Sequence, residues 1–215
     1  MASKSKLQKF AELASNPIVL EKNPAVKGKW NTEFFKNQHP IVLELACGKG
    51  DYTLGMAKLF PDKNFIGADI KGNRIWSAAR IAEMENLQNV GFIRDQIDHI
   101  NEYFEHGEVE EIWITFSDPF LRDGDAKKRL TSAKFLPLYK EILKDGGLIH
   151  LKTDSDLLYA FTKEMLHEFP SEIIKDYNDV YAMHKNEELH GIQTYYEKMH
   201  LKDNRTIKYL CFRLL

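Results

Sequence analysis

The chain has 215 residues, 43% hydrophobic and 29% charged, which is ordinary for a soluble globular protein and enough for one large domain with a full core. A formal net charge of −2 announces no polyanionic partner globally, so any nucleic-acid surface must be local. The N-terminal Met-Ala-Ser-Lys-Ser-Lys lacks an apolar signal region, no stretch reaches membrane-span length, and the eight histidines show no ligand spacing, so neither a membrane nor a metal is expected. Cys47 and Cys211 stand alone in apolar strand patterns, which fits buried reduced thiols in a cytoplasmic protein better than a disulfide.

Residues 1–38 form a basic leader, with seven lysines against three glutamates. A helical pattern covers Lys6–Ala14, and the Asn16-Pro17 and Asn23-Pro24 breaks argue against a separate domain, leaving 39–215 as the expected domain. Residues 41–46 read as a buried parallel strand, followed by the turn Gly48-Lys49-Gly50 and an amphipathic helix Asp51–Leu59 stopped by Pro61. A second strand spans 64–69, and a helix over 72–86 carries Ile75, Trp76, Ala79 and Ala82 at helical spacing. A strand at 90–93, a short helix near 97–104 and a strand at 111–116 follow. A helix over 132–143 has Phe135, Leu138, Tyr139 and Ile142 on one face and ends at Asp145-Gly146-Gly147. Then come a strand at 148–152, a helix Asp156–Glu168, and two strands near 172–177 and 206–214 that can pair as an antiparallel edge. The polar stretch 178–205 between them reads mostly as a long functional loop. The alternation predicts an α/β fold with a mostly parallel, Rossmann-like sheet of order 3-2-1-4-5.

Strand, glycine turn and helix together make a nucleotide-cofactor loop, in which Gly48 and Gly50 let backbone approach a ligand. Asp69 ends the second strand about 20 residues on, where a ribose diol is held by paired hydrogen bonds. Two features depart from a dinucleotide pattern: Thr53 replaces the third glycine, and Glu44 interrupts the first strand. A ligand without phosphates needs no third glycine, and a carboxylate attracts a cation, so S-adenosylmethionine fits better than NAD. Glu44 has an alternative role, capping nearby backbone N–H groups.

At the end of the fourth strand stands Ser117-Asp118-Pro119-Phe120. In a sheet of this order Asp118 is expected at the same carboxyl-edge crevice as Gly48 and Gly50. Pro119 stops the ladder and holds Asp118 extended, while Phe120 offers a face for a planar base. Arg122, Lys127, Lys128 and Arg129 then supply cations for phosphates, although such a run alone is more often a solvated face.

From about residue 35 to the C-terminus the chain resembles the bacterial tRNA (guanine-N7)-methyltransferase family. The likeness rests on Glu-Leu-Ala-Cys-Gly-Lys-Gly from Glu44, Phe65-Ile-Gly-Ala-Asp-Ile-Lys71, Asp118-Pro119, Lys128-Arg-Leu-Thr131, Leu151-Lys-Thr-Asp154 and Thr194-Tyr-Tyr-Glu197. The resemblance implies a class I methyltransferase fold and transfer of a methyl group from S-adenosylmethionine to N7 of guanine 46 in the tRNA variable loop. It places Glu44, Asp69 and Gln96 at the cofactor, with Gln96 where the family usually has an aspartate near the adenine. Asp118 matches the catalytic or orienting aspartate and borders the cofactor; Arg122, Asp154 and Thr194–Glu197 match substrate-binding positions. Asp154 has the alternative role of helix N-cap. Two departures bear on RNA affinity: Phe120 stands where the family has tryptophan, and Asp123 and Asp125 dilute the basic loop. The implied partner is tRNA, for a monomer or homodimer. The alternatives are a methyltransferase of the same fold acting on a small molecule or protein, and a non-catalytic RNA-binding scaffold.

Guanine N7 bears a lone pair and no proton, so its methylation needs alignment rather than a general base. The product ring is cationic, which a carboxylate from Asp118 or Asp154 can stabilise as it forms.

Overall fold

The computed structural model describes residues 5–182 and 187–215, so residues 1–4 of the leader and 183–186 of the long polar stretch lie outside the described residues. The chain divides into two compact units, Met1–Phe104 and Glu105–Leu215.

In the first unit residues 5–38, the described part of the basic leader, carry regular elements. Helix α1 (Lys6–Ala14) begins with a capping box in which Ser5 and Gln8 satisfy each other's backbone N–H groups. It lies on α3 (Gly72–Met84), where the Trp76 indole N–H donates to Glu12 at 2.9 Å and the Lys9 ammonium sits 4.8 Å from the same ring. Strand β1 (Val19–Glu21) pairs in parallel with β4 (Val90–Arg94). Three residues between two Asn-Pro breaks give too short a pattern to be read as a strand. Trp30 is fully buried in a π-helical turn; its indole donates to the Tyr103 carbonyl at 2.9 Å and stacks on Phe104.

The unit's centre is β2 (Ile41–Leu45) and β3 (Asn64–Ala68), each buried at all five positions, as parallel strands covered on both faces require. The strands run β1-β4-β3-β2, all parallel, with α2 (Asp51–Leu59) linking β2 to β3. Register aligns Leu45 with Ala68 and Ala68 with Ile93, so the carboxyl ends of β2, β3 and β4 lie side by side.

In the second unit β5 (Val109–Thr115) pairs in parallel with β6 (Leu143–Thr153). The edge is antiparallel, as expected: β8 (Lys208–Leu214) lies between β6 and β7 (Ser171–Tyr177). Helix α4 (Leu136–Ile142) is shorter than the helix expected over 132–143. Residues before it form turns, with the Ser132 hydroxyl donating to the Lys127 carbonyl at 3.1 Å. Strand β6 starts earlier than expected and carries the glycine pair within it; Gly146 has φ +76°, and the β5–β6 register shifts between Val109 and Glu111. Helix α5 (Asp156–Glu168) is capped by Ser155, whose hydroxyl accepts the Leu158 N–H, so the capping role weighed for Asp154 belongs to its neighbour.

The stretch 178–205 is more helical than a loop. It contains a 3₁₀ turn Val180–Ala182, a short helix α6 (Glu187–His190) and α7 (Tyr195–Lys202). Among the described residues no helix is long and apolar enough to cross a membrane.

Candidate active site

Each unit gathers its own set of the expected residues at the carboxyl ends of its strands. In the first, the chain leaves β2 through Ala46, Gly48 and Gly50 with positive φ values of 56°, 58° and 71°. A Cβ on Gly50 would lie 2.9 Å from the Ala78 methyl, so this position needs glycine for its backbone and for the approach of α3. Asp69 is 6% exposed; the Gly48 N–H donates to its Oδ2 at 2.9 Å and the Lys71 N–H to its Oδ1 at 2.7 Å. Each oxygen keeps a second lone pair, so the carboxylate is fixed while still able to accept two hydroxyl groups.

Glu44 takes up the capping alternative. Its buried carboxylate accepts the Thr53 backbone N–H at 2.9 Å and the Thr53 hydroxyl, satisfying the first turn of α2. Burial, and then the charges of Glu44 and Asp69, push the Cys47 thiol well above its ordinary pKa. Cys47 is therefore a neutral thiol, held so first by its burial, with two carboxylates, Glu44 and Asp69, beside the loop. Paired carboxylates favour a cationic ligand over a phosphate. The left-handed glycines, the braced acceptors of Asp69 and these carboxylates all fit S-adenosylmethionine.

Gln96 is exposed beside a group that sequence reasoning missed. Buried Asp95 accepts from the Gln96 N–H at 2.7 Å and the Tyr103 hydroxyl at 2.9 Å, with His99 Nδ1 at 3.2 Å. Burial raises the Asp95 pKa, but these hydrogen bonds and the His99 charge outweigh it, and the net shift is downward. The spacing of Asp, His at i+4 and Tyr at i+8 was the available signal. Asp95 fixes the backbone from which Gln96 projects.

In the second unit the Phe116 N–H donates to the Lys152 carbonyl at 2.9 Å as β5 ends. Phe116 and Phe120 are both left-handed, at φ +49° and +43°, a conformation costing bulky side chains on the order of 1–2 kcal/mol each. Between them Asp118 is exposed, and its Oδ1 accepts the Phe120 N–H at 2.9 Å. Arg122, Lys127 and Lys128 are exposed around the 3₁₀ turn Asp123–Lys128, where Lys128 pairs with Asp125 at 2.7 Å. Arg129 departs from the expected phosphate-facing set. It is 4% exposed, and its Nε and Nη2 donate to the Pro119 and Phe120 carbonyls, both at 2.9 Å.

Asp154 lies at the end of β6 and holds the Arg205 guanidinium at 2.7 Å, with His200 Nδ1 at 3.4 Å; the His200 ring stacks on Phe116. Thr194 caps α7, its hydroxyl accepting the Glu197 N–H at 3.1 Å. Glu197 is fully buried. Its Oε1 is 2.7 Å from the Lys152 ammonium, also fully buried, and accepts the Tyr181 hydroxyl at 2.8 Å. Lys152 further donates to the Leu189 carbonyl, tying α6 and α7 to β6. Burial lowers the Lys152 pKa against the opposing pull of Glu197. Lys152, His200 and Arg205 were not singled out from sequence. A lysine inside an apolar strand is itself a signal, because a buried ammonium demands an acid partner.

The chain matches a family model described as "Putative methyltransferase" over residues 38–210. A protein of Christiangramia forsetii named tRNA (guanine-N(7)-)-methyltransferase is 46% identical, with 100% of each chain covered. One of the same name from Bacteroides thetaiotaomicron is 46% identical over 98% of this chain and 86% of its own length. A third, from Porphyromonas gingivalis, is 50% identical over 88% of this chain and 77% of its own. Among solved structures, a 16S rRNA methyltransferase aligns with TM-score 0.63 at 14% identity, covering 87% of this chain and 94% of its own. A SAM-dependent methyltransferase from Aquifex aeolicus aligns with TM-score 0.58 at 13% identity over 100% of both chains. These two likenesses concern the fold.

Proposed function

We propose that this chain, which belongs to the methyltransferase family matched over residues 38–210, transfers a methyl group from S-adenosylmethionine to N7 of guanine in tRNA, at position 46 of the variable loop. The end-to-end identity of 46% to the Christiangramia forsetii protein named tRNA (guanine-N(7)-)-methyltransferase carries the reaction and the substrate class, while position 46 is what the resemblance implies. When bound, the cofactor supplies an electrophilic methyl group on a sulfonium.

The chain's own residues do the rest. Asp69 accepts the ribose hydroxyls, Gly48 and Gly50 give backbone access, and Gln96 borders the adenine. The carboxylates of Glu44 and Asp69 favour the positive charge of the donor. Asp118 accepts hydrogen bonds from the guanine edge and offsets the positive charge that grows on the ring, while Phe120 supplies a stacking face. No residue need abstract a proton, since N7 carries none. Arg122, Asp154, Thr194 and Glu197 form the substrate side, the last two by holding α7 in place. Lys127 and Lys128 meet phosphates.

Purified protein incubated with S-adenosylmethionine and an unmodified tRNA transcript should yield 7-methylguanosine by nucleoside mass analysis. A transcript carrying adenine at position 46 should not be modified. Absence of 7-methylguanosine from the unaltered transcript would refute the activity; product from the substituted one would refute only the position. By calorimetry Asp69→Ala should lose about 1.5–3 kcal/mol of cofactor binding through its charge-assisted hydrogen bonds, tenfold or more in affinity. Unchanged affinity would remove Asp69 from the ribose.

A further inference from the structure

Lys127, Lys128 and Arg129 are consecutive cations in sequence, but the fold uses the third one differently. Arg129 is 4% exposed, whereas Lys127 and Lys128 are exposed. Two adjacent N–H groups of its planar guanidinium reach two consecutive carbonyls, Pro119 O and Phe120 O, each at 2.9 Å. Its face lies 4.5 Å from the Phe161 ring on α5. A fork of donors on a rigid plane fixes both carbonyls at once, which a flexible ammonium does less well.

The clasped segment is one that needs holding. Phe116 and Phe120 both occupy the left-handed region, and Asp118 sits between them. Pro119 has no N–H to donate, so the sheet ladder cannot continue through it. The contact holding Asp118 to its own turn is local, from the Phe120 N–H to Oδ1 at 2.9 Å.

We infer that Arg129 is a positioning residue, clamping the Pro119 and Phe120 carbonyls so that Asp118 and Phe120 keep their reactive arrangement, and that it contributes nothing to phosphate capture. This rests on the proposed methyl transfer to tRNA, in which Asp118 and Phe120 meet the base.

The test separates the two roles in Arg129→Met and Arg129→Lys. Three readouts are needed: kcat and KM for tRNA, the salt dependence of tRNA binding, and amide hydrogen exchange at Phe120. In Arg129→Met, kcat at saturating tRNA should fall by on the order of a hundredfold, the scale for a misplaced reacting group. KM should stay within about threefold and the salt slope should be unchanged, because no phosphate contact is lost. The Phe120 N–H should exchange faster while Ile112 and Ile114 within β5 keep their protection. Arg129→Lys should recover part of kcat. Lys127→Ala with Lys128→Ala is the contrast, flattening the slope by roughly 0.7–0.9 for each phosphate released.

A slope reduced by one phosphate in Arg129→Met, with kcat at saturation and Phe120 exchange as in the parent, would overturn the clamp. So would no change in any readout. If Arg129→Met does not fold, Arg129→Gln takes its place, and the same changes in slope, kcat and exchange support or overturn the clamp. A parent protein that fails to methylate tRNA would refute the proposed activity, while Phe120 exchange would still decide the clamp.

Discussion

Asp118 is exposed at the end of a strand, yet its position is determined by a proline, two left-handed phenylalanines and a bond to the Phe120 N–H. Asp118→Asn is nearly isosteric and retains one acceptor, so fold and cofactor affinity should persist. In the proposed reaction this removes the negative charge offered to the ring, and single-turnover methyl transfer should slow by ~2.7–4 kcal/mol, on the order of a hundredfold to a thousandfold. Near-parent rates would leave Asp118 a structural residue and pass the electrostatic role to Asp154. At this scale the sequence is informative where a residue's chemistry is unusual in its pattern: an acid in an apolar strand, an Asp-Pro at a strand end, an acid about 20 residues past the glycines. It is silent where neighbours look alike. Nothing in Lys-Lys-Arg says that the arginine turns inward, because its burial goes with two carbonyls nine and ten residues earlier in the chain.

Helix α7 shows the same lesson for an element. Its residues carry no broad apolar stripe, and the surrounding stretch is polar, so a loop is the natural expectation for 178–205. The helix is instead seated by Thr194 at its cap and by Glu197, whose partner Lys152 comes from a strand about 45 residues earlier in the chain. Long-range ion pairs leave no periodicity in a local window. The strands β2 and β3 are legible for the opposite reason, since full burial writes itself as a continuous apolar run. Lys152→Met should leave Glu197 buried without its counterion and destabilise the fold by about 3–5 kcal/mol, whereas adding Glu197→Leu should restore much of the loss. Urea unfolding of the two single variants and the double variant measures the coupling. Single variants each costing under about 1 kcal/mol, with no coupling, would show that the pair does not seat the helix.

On the scale of the molecule the α/β class and the antiparallel edge can be read from the order of strands and helices, while β1 and Trp30 cannot, because each is a short piece completed by partners far along the chain. Acid response should follow from one carboxylate in each unit. Asp95 is lowered in pKa despite burial, and Asp176 is lowered, also against burial, by Lys163 and Tyr159. A folded pKa below the unfolded value of about 3.9 means that the unfolded chain binds more protons between the two. Stability is therefore fully present above about pH 4 to 5 and declines as pH falls through the folded values. Asp95→Asn should flatten this acid limb in urea titrations from about pH 5 down to about pH 2; an unaltered limb would show that Asp95 titrates alike in both states. The two cysteines extend the same division. Cys47 belongs to the first unit and Cys211 to the second, and both are buried. Thiolates attack alkylating reagents, and burial, reinforced by the charges of Glu44 and Asp69, holds the Cys47 thiol neutral. Each sulfur is thus a chemical clock for its own surroundings, trapped only as fast as the structure burying it opens, and a donor bound at the Gly48–Gly50 loop should slow the Cys47 clock.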